Sequence, residues 1–287
     1  GGALAAALTQ RGDEVVRLVR GRPASTAREI MWDPASGGID RPALEGFDAM
    51  IHLAGDPIAE GRWNPVKKQR ILSSRTAGTE LLATAAAGCA RKPALFICAS
   101  AIGIYGNRAN EVLTEASPAG TGFLADLCRE WEAAAEPARQ HGLRVVHLRI
   151  GVVLTPKGGA LAKMLTPFQF GVGGVVGSGD QYWSWVSIDD VIGAIHHCLN
   201  HDEISGPVNA VAPHPVTNRE FTKTLGGVLH RPTIFPLPAI AARLALGEMA
   251  DELLLSSARV VPKRLEETGY QFRCPTLDGA LRHVLGR

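Results

Sequence analysis

The stretch Ala94-Leu-Phe-Ile-Cys-Ala-Ser-Ala-Ile-Gly-Ile-Tyr-Gly106 decides how this chain is read. It opens as an apolar run and closes in the small residues Ala99, Ser100, Ala101, Gly103 and Gly106. An apolar run of this length, flanked by turn-prone and helical patterns, reads as a strand buried on both faces of a parallel sheet. The small residues then fall at its carboxyl end, the edge where ligands bind in an open α/β sheet. Ser100 is placed at the lip of that edge, with Tyr105 five residues on. These two are the candidate catalytic residues.

Working outward, residues 14–20, 28–33, 47–55 and 143–151 read as further strands, and 47–55 again ends in small residues. Residues 65–88 and 122–141 read as helices with apolar faces. Strands alternating with helices argue for βαβ units and a parallel sheet. Dinucleotide-binding sheets carry their phosphate-binding glycines at the first strand-to-helix turn. Here that turn falls at Gly1 and just before it, so a first strand is expected upstream. A helix-start glycine with no ligand reads Gly1 equally well.

From Gly158 the texture changes. A helix is expected over 159–170, then the glycine-rich loop 171–179, which matches neither a Walker loop nor a dinucleotide fingerprint and reads as a flexible wall. Further helices are expected after Asp190 and over 218–229, 239–255 and 277–285. This second half reads as a smaller lobe closing over the site, with some segments returning to the sheet.

Composition narrows the function. The 287 residues are 46% hydrophobic and 20% charged, with a net charge of +2. That charge is too small to argue for a nucleic-acid surface. No apolar run is long enough to span a bilayer, so no membrane partner is expected. Five cysteines, Cys89, Cys98, Cys128, Cys198 and Cys274, are widely spaced with no C-x-x-C. They read as buried free thiols, which makes a reducing cytoplasm the expected location.

Two polar groupings bear on chemistry. Arg20 follows the 14–20 strand, with Arg22 and Arg28 beyond it. An acid here takes a ribose 2′-hydroxyl, whereas an arginine accommodates a 2′-phosphate. A guanidinium pairs with phosphate through several charge-assisted hydrogen bonds, so Arg20 points to NADP(H). A solvated basic loop is the alternative. His197 and His201 are four apart on one helix, beside His196. With no H-E-x-x-H pattern and no third ligand, they read as a solvent-facing pair, and no metal is expected.

The chain resembles the extended short-chain dehydrogenase/reductases, and within them the epimerase-family proteins of the SDR39U type. The resemblance rests on His52-Leu-Ala-Gly-Asp-Pro-Ile-Ala59, Arg62-Trp63, Ser74-Arg-Thr-Ala-Gly-Thr79 and Ser100-Ala-Ile-Gly-Ile-Tyr-Gly106. It continues through Trp131-Glu132, Leu148-Arg-Ile-Gly-Val-Val-Leu154, Gly158-Gly-Ala-Leu161, Gly171-Val-Gly-Gly174, Pro262-Lys-Arg-Leu265 and Gly269-Tyr270. It implies a Rossmann-type doubly wound parallel sheet over 1–157, and a smaller α/β carboxyl-terminal lobe for substrate over 158–287. It implies NADP(H) as cofactor. Gly1 resembles the third glycine of the G-x-x-G-x-x-G turn, and Arg20 the 2′-phosphate ligand. Leu53, Ala54 and Gly55 would line the adenosine and ribose, Arg75 would make a polar contact, and Gly151 to Val153 would flank the nicotinamide.

The chain also departs from that family. Hydride chemistry there uses a Tyr and a Lys four apart on one helix face, and this chain has no Tyr-x-x-x-Lys. Phe123 and Leu127 stand at those two positions, or Leu124 and Cys128 if the alignment shifts by one. Trp183 stands where nucleotide-sugar enzymes carry an arginine for the pyrophosphate. Trp183 and Trp185 read either as a stacking surface for a flat ligand or as packing between lobes. Tyr105, a water or Gln181 is left as proton donor. The expected function is therefore an NADP(H)-binding epimerase-family oxidoreductase acting on an unidentified small molecule. The alternative is a non-catalytic NADP(H)-binding redox sensor that acts through a protein partner. A homo-oligomer is compatible with either.

Overall fold

A computed structural model describes residues 1–21 and 28–287, so the expectation for Arg22 lies outside the described residues. Helix α1 (Gly2–Arg11) leads to strands β1 (Arg17–Val19), β2 (Glu29–Asp33) and β3 (Gly38–Ile39). Then come β4 (Ala49–His52), α2 (Pro65–Ala87) and β5 (Leu95–Ala101). β6 (Val112–Leu113), α3 (Phe123–Ala133), α4 (Glu136–Gln140), β7 (Arg144–Ile150) and β8 (Val152–Leu154) follow. The second half runs through α5 (Gly159–Gln169), β9 (Tyr182–Trp183), β10 (Trp185–Ser187), α6 (Ile188–Asn200) and β11 (Gly206–Ala210). It continues with β12 (Val216–Thr217), α7 (Asn218–Leu229), α8 (Ala239–Leu246) and α9 (Glu248–Ala250). β13 (Arg259–Val260), α10 (Lys263–Glu267) and α11 (Leu277–Leu285) complete it.

The central sheet has the order β11-β7-β5-β4, and all its pairs are parallel. β1, β2 and β3 form a separate three-stranded sheet, its first pair parallel and its second antiparallel. Side chains alternate between the faces of a strand, and β5 shows what that does here. Leu95 and Ile97 point into one core with Leu4 and Leu8 of α1 and Val191 and Ile195 of α6. Phe96 and Cys98 point into the other, with Leu82, Ala83 and Ala86 of α2 and Ala138 of α4. A strand covered on both faces has no polar face, which is why its sequence reads as a continuous apolar run.

Residues beyond 158 do not stay apart from this sheet. β11 pairs with β7, and β10 pairs with β8. α6 and α10 also pack into the central core, whereas α5, α7 and α11 gather on a second core, with Leu161, Phe168, Phe221, Leu225 and Leu281 fully or almost fully buried.

Three expectations change. The helix expected over 122–141 is two helices, because Pro137 has no N–H and its ring clashes with the carbonyl four residues back, at Ala133. The helix expected over 239–255 breaks at Gly247, which has φ +64°, and ends in a π-helical turn, Asp251–Leu255. The 171–179 loop is a tied wall rather than a free one. Leu237 N donates to Val175 O at 2.8 Å and Gly177 N to Leu237 O at 2.9 Å. A Cβ on Gly174 would lie 1.8 Å from Phe235 O, so only glycine permits that approach.

All five cysteines are free and buried. No helix among the described residues is long and apolar enough to cross a membrane.

Candidate functional site

The carboxyl ends of β4, β5 and β7 point to one edge of the sheet, as parallel strands must. Beyond β4, Leu53 is half-buried and Ala54 and Gly55 are exposed, so this backbone is open to a ligand. Arg75 reaches back toward it from the middle of α2. That helix starts cleanly: Asn64 Oδ1 accepts from Lys67 N at 2.8 Å, and Pro65 takes the first turn.

Arg75 is 9% exposed. Its Nη1 donates to Asp56 O at 3.0 Å and to Ile71 O at 3.1 Å, and its guanidinium lies over the Trp131 ring. Among the described residues it forms no ion pair with a carboxylate, though the Asp56 charge reaches it. The adjacent Asp56 carboxylate is taken by Lys67 at 2.5 Å and Arg70 at 3.3 Å, and the Lys67 hydrogen bond holds Asp56 below the usual carboxylate range. Burial pulls the Arg75 pKa down. A Cβ on Gly55 would lie 3.0 Å from Arg75 Cζ, so the glycine makes room for the guanidinium. A buried cation whose hydrogen bonds go only to carbonyls still has donors to offer an anion or a ribose hydroxyl.

At the end of β5 the expectation meets a different arrangement. Ser100 is buried, and its Oγ donates to Glu132 Oε1 at 2.7 Å. Arg149, on β7, clamps the same carboxylate through Nε at 2.8 Å and Nη2 at 3.0 Å. Arg149 Nη1 donates to Tyr105 Oη at 2.9 Å, and Tyr105 donates to Asn209 Oδ1 at 2.7 Å. Asn209 N and Arg264 N both donate to Glu115 Oε1, at 3.0 Å and 3.1 Å. Tyr105 is fully buried. Burial raises its pKa even against the Arg149 charge. Ser100 thus turns inward from the lip, and the Tyr105 phenol is enclosed and already engaged. Both serve a buried polar network that ties β5, β7, α3 and β11 together. This geometry corrects their placement as ligand-facing groups.

Other candidates fall as follows. Arg20 is exposed at the carboxyl end of β1, and its charge reaches Asp33 on β2. Gly1 is the N-cap of α1 and brings no side-chain cap, which leaves the first-turn N–H groups free. Gly151 lies between β7 and β8, half-buried, and Val153 packs against the core. A Cβ on Gly151 would lie 2.6 Å from Ser184 O, so close packing alone requires glycine there. Trp185 is fully buried and Trp183 packs on Phe221 at 5.3 Å, so neither presents a stacking surface. Gln181 is spent on Val176 O and Leu254 O. Phe123 packs edge-on against Trp63 at 5.0 Å, with Lys68 Nζ 4.8 Å from its ring. His197 stacks on His201 at 3.8 Å and its Nε2 contacts Thr268 Oγ1, rather than facing solvent. Among the described residues, no group of His, Cys, Asp and Glu is placed to hold a metal.

His52, at the end of β4, carries a prediction. It is buried, its ring stands edge-on to Trp32, and its Nε2 has no hydrogen-bond partner. Burial lowers its pKa to about 4. The unfolded chain therefore takes up a proton near pH 6.5 that the folded protein refuses until about pH 4. Stability present above the unfolded value is lost as pH falls toward the folded one, by about 3 kcal/mol for this group. Urea unfolding between those two pH values should show the loss, and His52→Phe should flatten that part of the profile.

A parallel doubly wound sheet with its open backbone and buried arginine at the strands' carboxyl edge defines a Rossmann-type α/β protein. The model of the NAD dependent epimerase/dehydratase family matches residues 1–210, and a domain of unknown function, DUF1731, matches 237–284. The chain belongs to the NAD dependent epimerase/dehydratase family. It is 45% identical to the epimerase family protein Mb2239 of Mycobacterium bovis, over 100% of this chain and 94% of that protein. It is 35% identical to the human epimerase family protein SDR39U1, over 99% of this chain and 96% of that one. The crystal structure of human SDR39U1 (isoform 2) with NADPH superposes with a TM-score of 0.90 at 34% identity, covering 100% and 96% of the two chains.

The sequence reading did not single out Glu132 or Arg149, which hold the buried network together. Arg149 did leave a signal. It interrupts the apolar run of β7, and a charge in a core strand demands a partner.

Proposed function

We propose that this chain binds NADP(H) along the carboxyl edge of its strands, with the second lobe closing over a small-molecule substrate. One observation carries the reading: Arg75 is a buried guanidinium that forms no ion pair with a carboxylate among the described residues, set beside the open Ala54-Gly55 backbone. The residues present suit the cofactor. Arg20 would take the 2′-phosphate, the free N–H groups of α1 at Gly1 the pyrophosphate, and Leu53, Ala54 and Gly55 the adenosine side. Arg75 would reach a ribose or phosphate oxygen, and Gly151 to Val153 would border the nicotinamide. When bound, NADPH supplies a hydride. The NADPH-bound human relative, alike over the whole chain, supports the same cofactor.

Titration with NADPH and NADH tests this. NADPH should bind the tighter, Arg20→Ala should erase the difference by weakening NADPH roughly 10- to 100-fold, and Arg75→Met should weaken both cofactors. Equal affinities in the wild type would overturn the Arg20 assignment.

The buried network favours a second reading, in which cofactor occupancy is sensed rather than used. Ser100 and Tyr105 are both engaged inside it, so neither is free to hand a proton to a substrate. Incubation of the NADPH-loaded protein with a panel of small carbonyl compounds separates the two. NADPH oxidation favours a reductase, and tight binding without oxidation favours the sensor. The five buried free thiols fit a reducing compartment for either.

A further inference from the structure

The carboxyl edge of β5 has a neighbour from the far lobe that the cofactor reading leaves unused. Gly103 follows β5, and a Cβ there would lie 3.1 Å from Leu124 Cβ, so α3 is pressed against this edge. Leu124 N donates to Glu252 Oε2 at 3.3 Å. Gly122 lets the acid in: a Cβ on it would lie 2.6 Å from Glu252 Oε1. α3 has no side-chain cap from its own N-cap residue, so its first turn is met instead by an acid 128 residues further along the chain.

Glu252 stands in the π-helical turn Asp251–Leu255, and such turns recur at functional sites. The segment leading into it is tied at two points to the start of α2 and the loop before it. Lys68 Nζ pairs with Glu248 at 2.5 Å, and Arg62 Nη2 donates to Leu244 O at 2.8 Å. It brings Glu252 to the first turn of α3.

The direction of the cofactor gives this acid a role, which rests on the function proposed above. With the 2′-phosphate at Arg20 on β1, a dinucleotide laid along the strand edges passes β4 and brings its nicotinamide half to β5. We infer that Glu252 faces the nicotinamide end and that its ionisation is coupled to the redox state of the cofactor. Its carboxyl gives up its proton more readily beside the cationic oxidised ring than beside the neutral reduced one.

The surroundings allow this. Burial pushes the Glu252 pKa up, and Glu248 adds to that. The amides of Leu124 and Phe123 and the Lys68 charge oppose it without reversing it. Asp126 and Arg129 of α3 are paired with each other. A carboxyl in this state titrates above the usual carboxylate range, where a nearby positive charge shifts it readily.

Calorimetric titrations with NADP+ and with NADPH, from about pH 5 to about pH 8, test the inference. The ratio of the NADP+ to the NADPH dissociation constant should fall about tenfold as pH rises in the wild type. It should stay flat in Glu252→Gln, which keeps an acceptor for Leu124 N. In the wild type alone, titrations in two buffers of different ionisation enthalpy should show proton release with NADP+ and none with NADPH. A wild-type ratio flat in pH, no difference in proton release between the cofactors, or the same slope in Glu252→Gln would overturn the role of Glu252 and leave the cofactor site standing. Failure of the wild type to bind either nucleotide would overturn the cofactor reading itself and this inference with it.

Discussion

Glu132→Ala is expected to cost about 3–5 kcal/mol of stability, read as a lower denaturant midpoint with an unchanged slope. Arg149 and Glu132 side chains are only 9% and 14% exposed, and they meet through two charge-assisted bonds. Burial works against the Arg149 charge, yet the bonds to Glu132 hold its pKa above the ordinary arginine value. Removing the carboxylate leaves the cation buried with Tyr105 and a distant Glu115 carbonyl as its acceptors. It also frees Ser100 Oγ. Replacing the pair together, as Glu132→Met with Arg149→Met, should cost less than Glu132→Ala alone. The penalty lies in the unpaired charge, not in lost attraction. A double mutant less stable than the single one would contradict that account.

Asp190→Ala should cost a similar amount, roughly 3–5 kcal/mol, by stranding four donors at once. This carboxylate, 1% exposed, accepts from Ser187 Oγ at 2.7 Å, Tyr270 Oη at 3.1 Å, Arg273 N at 2.7 Å and Cys274 N at 3.0 Å. It therefore fastens the segment around 270–274 to the start of α6. Gly193, one turn on, leaves the space that the Tyr270 hydroxyl fills, since a Cβ there would lie 2.0 Å from it. Hydrogen exchange should show protection lost first in residues 270–285, because α11 follows directly from the released segment. Uniform loss across the molecule would mean that Asp190 instead holds the whole fold.

Much of the fold was legible because the signals are local. The β5 run follows from burial on both faces. α2 declares itself through Asn64 and Pro65, and α7 through the Thr217–Glu220 capping box. Where the reading of elements slipped, the signal was present in Pro137 and Gly247, which end helices by their own backbone chemistry. The sequence reading of the candidate site rests on its open side. Ala54, Gly55 and Arg20 fall where strand ends expose them, and a strand end can be placed from sequence.

The closed side was not legible, because orientation there depends on partners far along the chain. Ser100 turns inward because Glu132 awaits it 32 residues away, and Tyr105 because Asn209 does, 104 residues away. Nothing within ten residues of either position announces those acceptors. Trp183 and Trp185 are similar: a tryptophan pair beside a strand offers the same pattern whether it meets ligand or core.

The sequence by itself determined the class of sheet and the edge where its strand-end small residues gather, since hydrophobic period and strand-end glycines are properties of short stretches. Only the tertiary structure decided which polar groups face that edge. It turned Ser100 inward onto Glu132 and Tyr105 onto Asn209, and it paired the Arg149 charge with Glu132. A buried charge is satisfied by whichever partner the fold delivers, and that delivery is set by long-range packing.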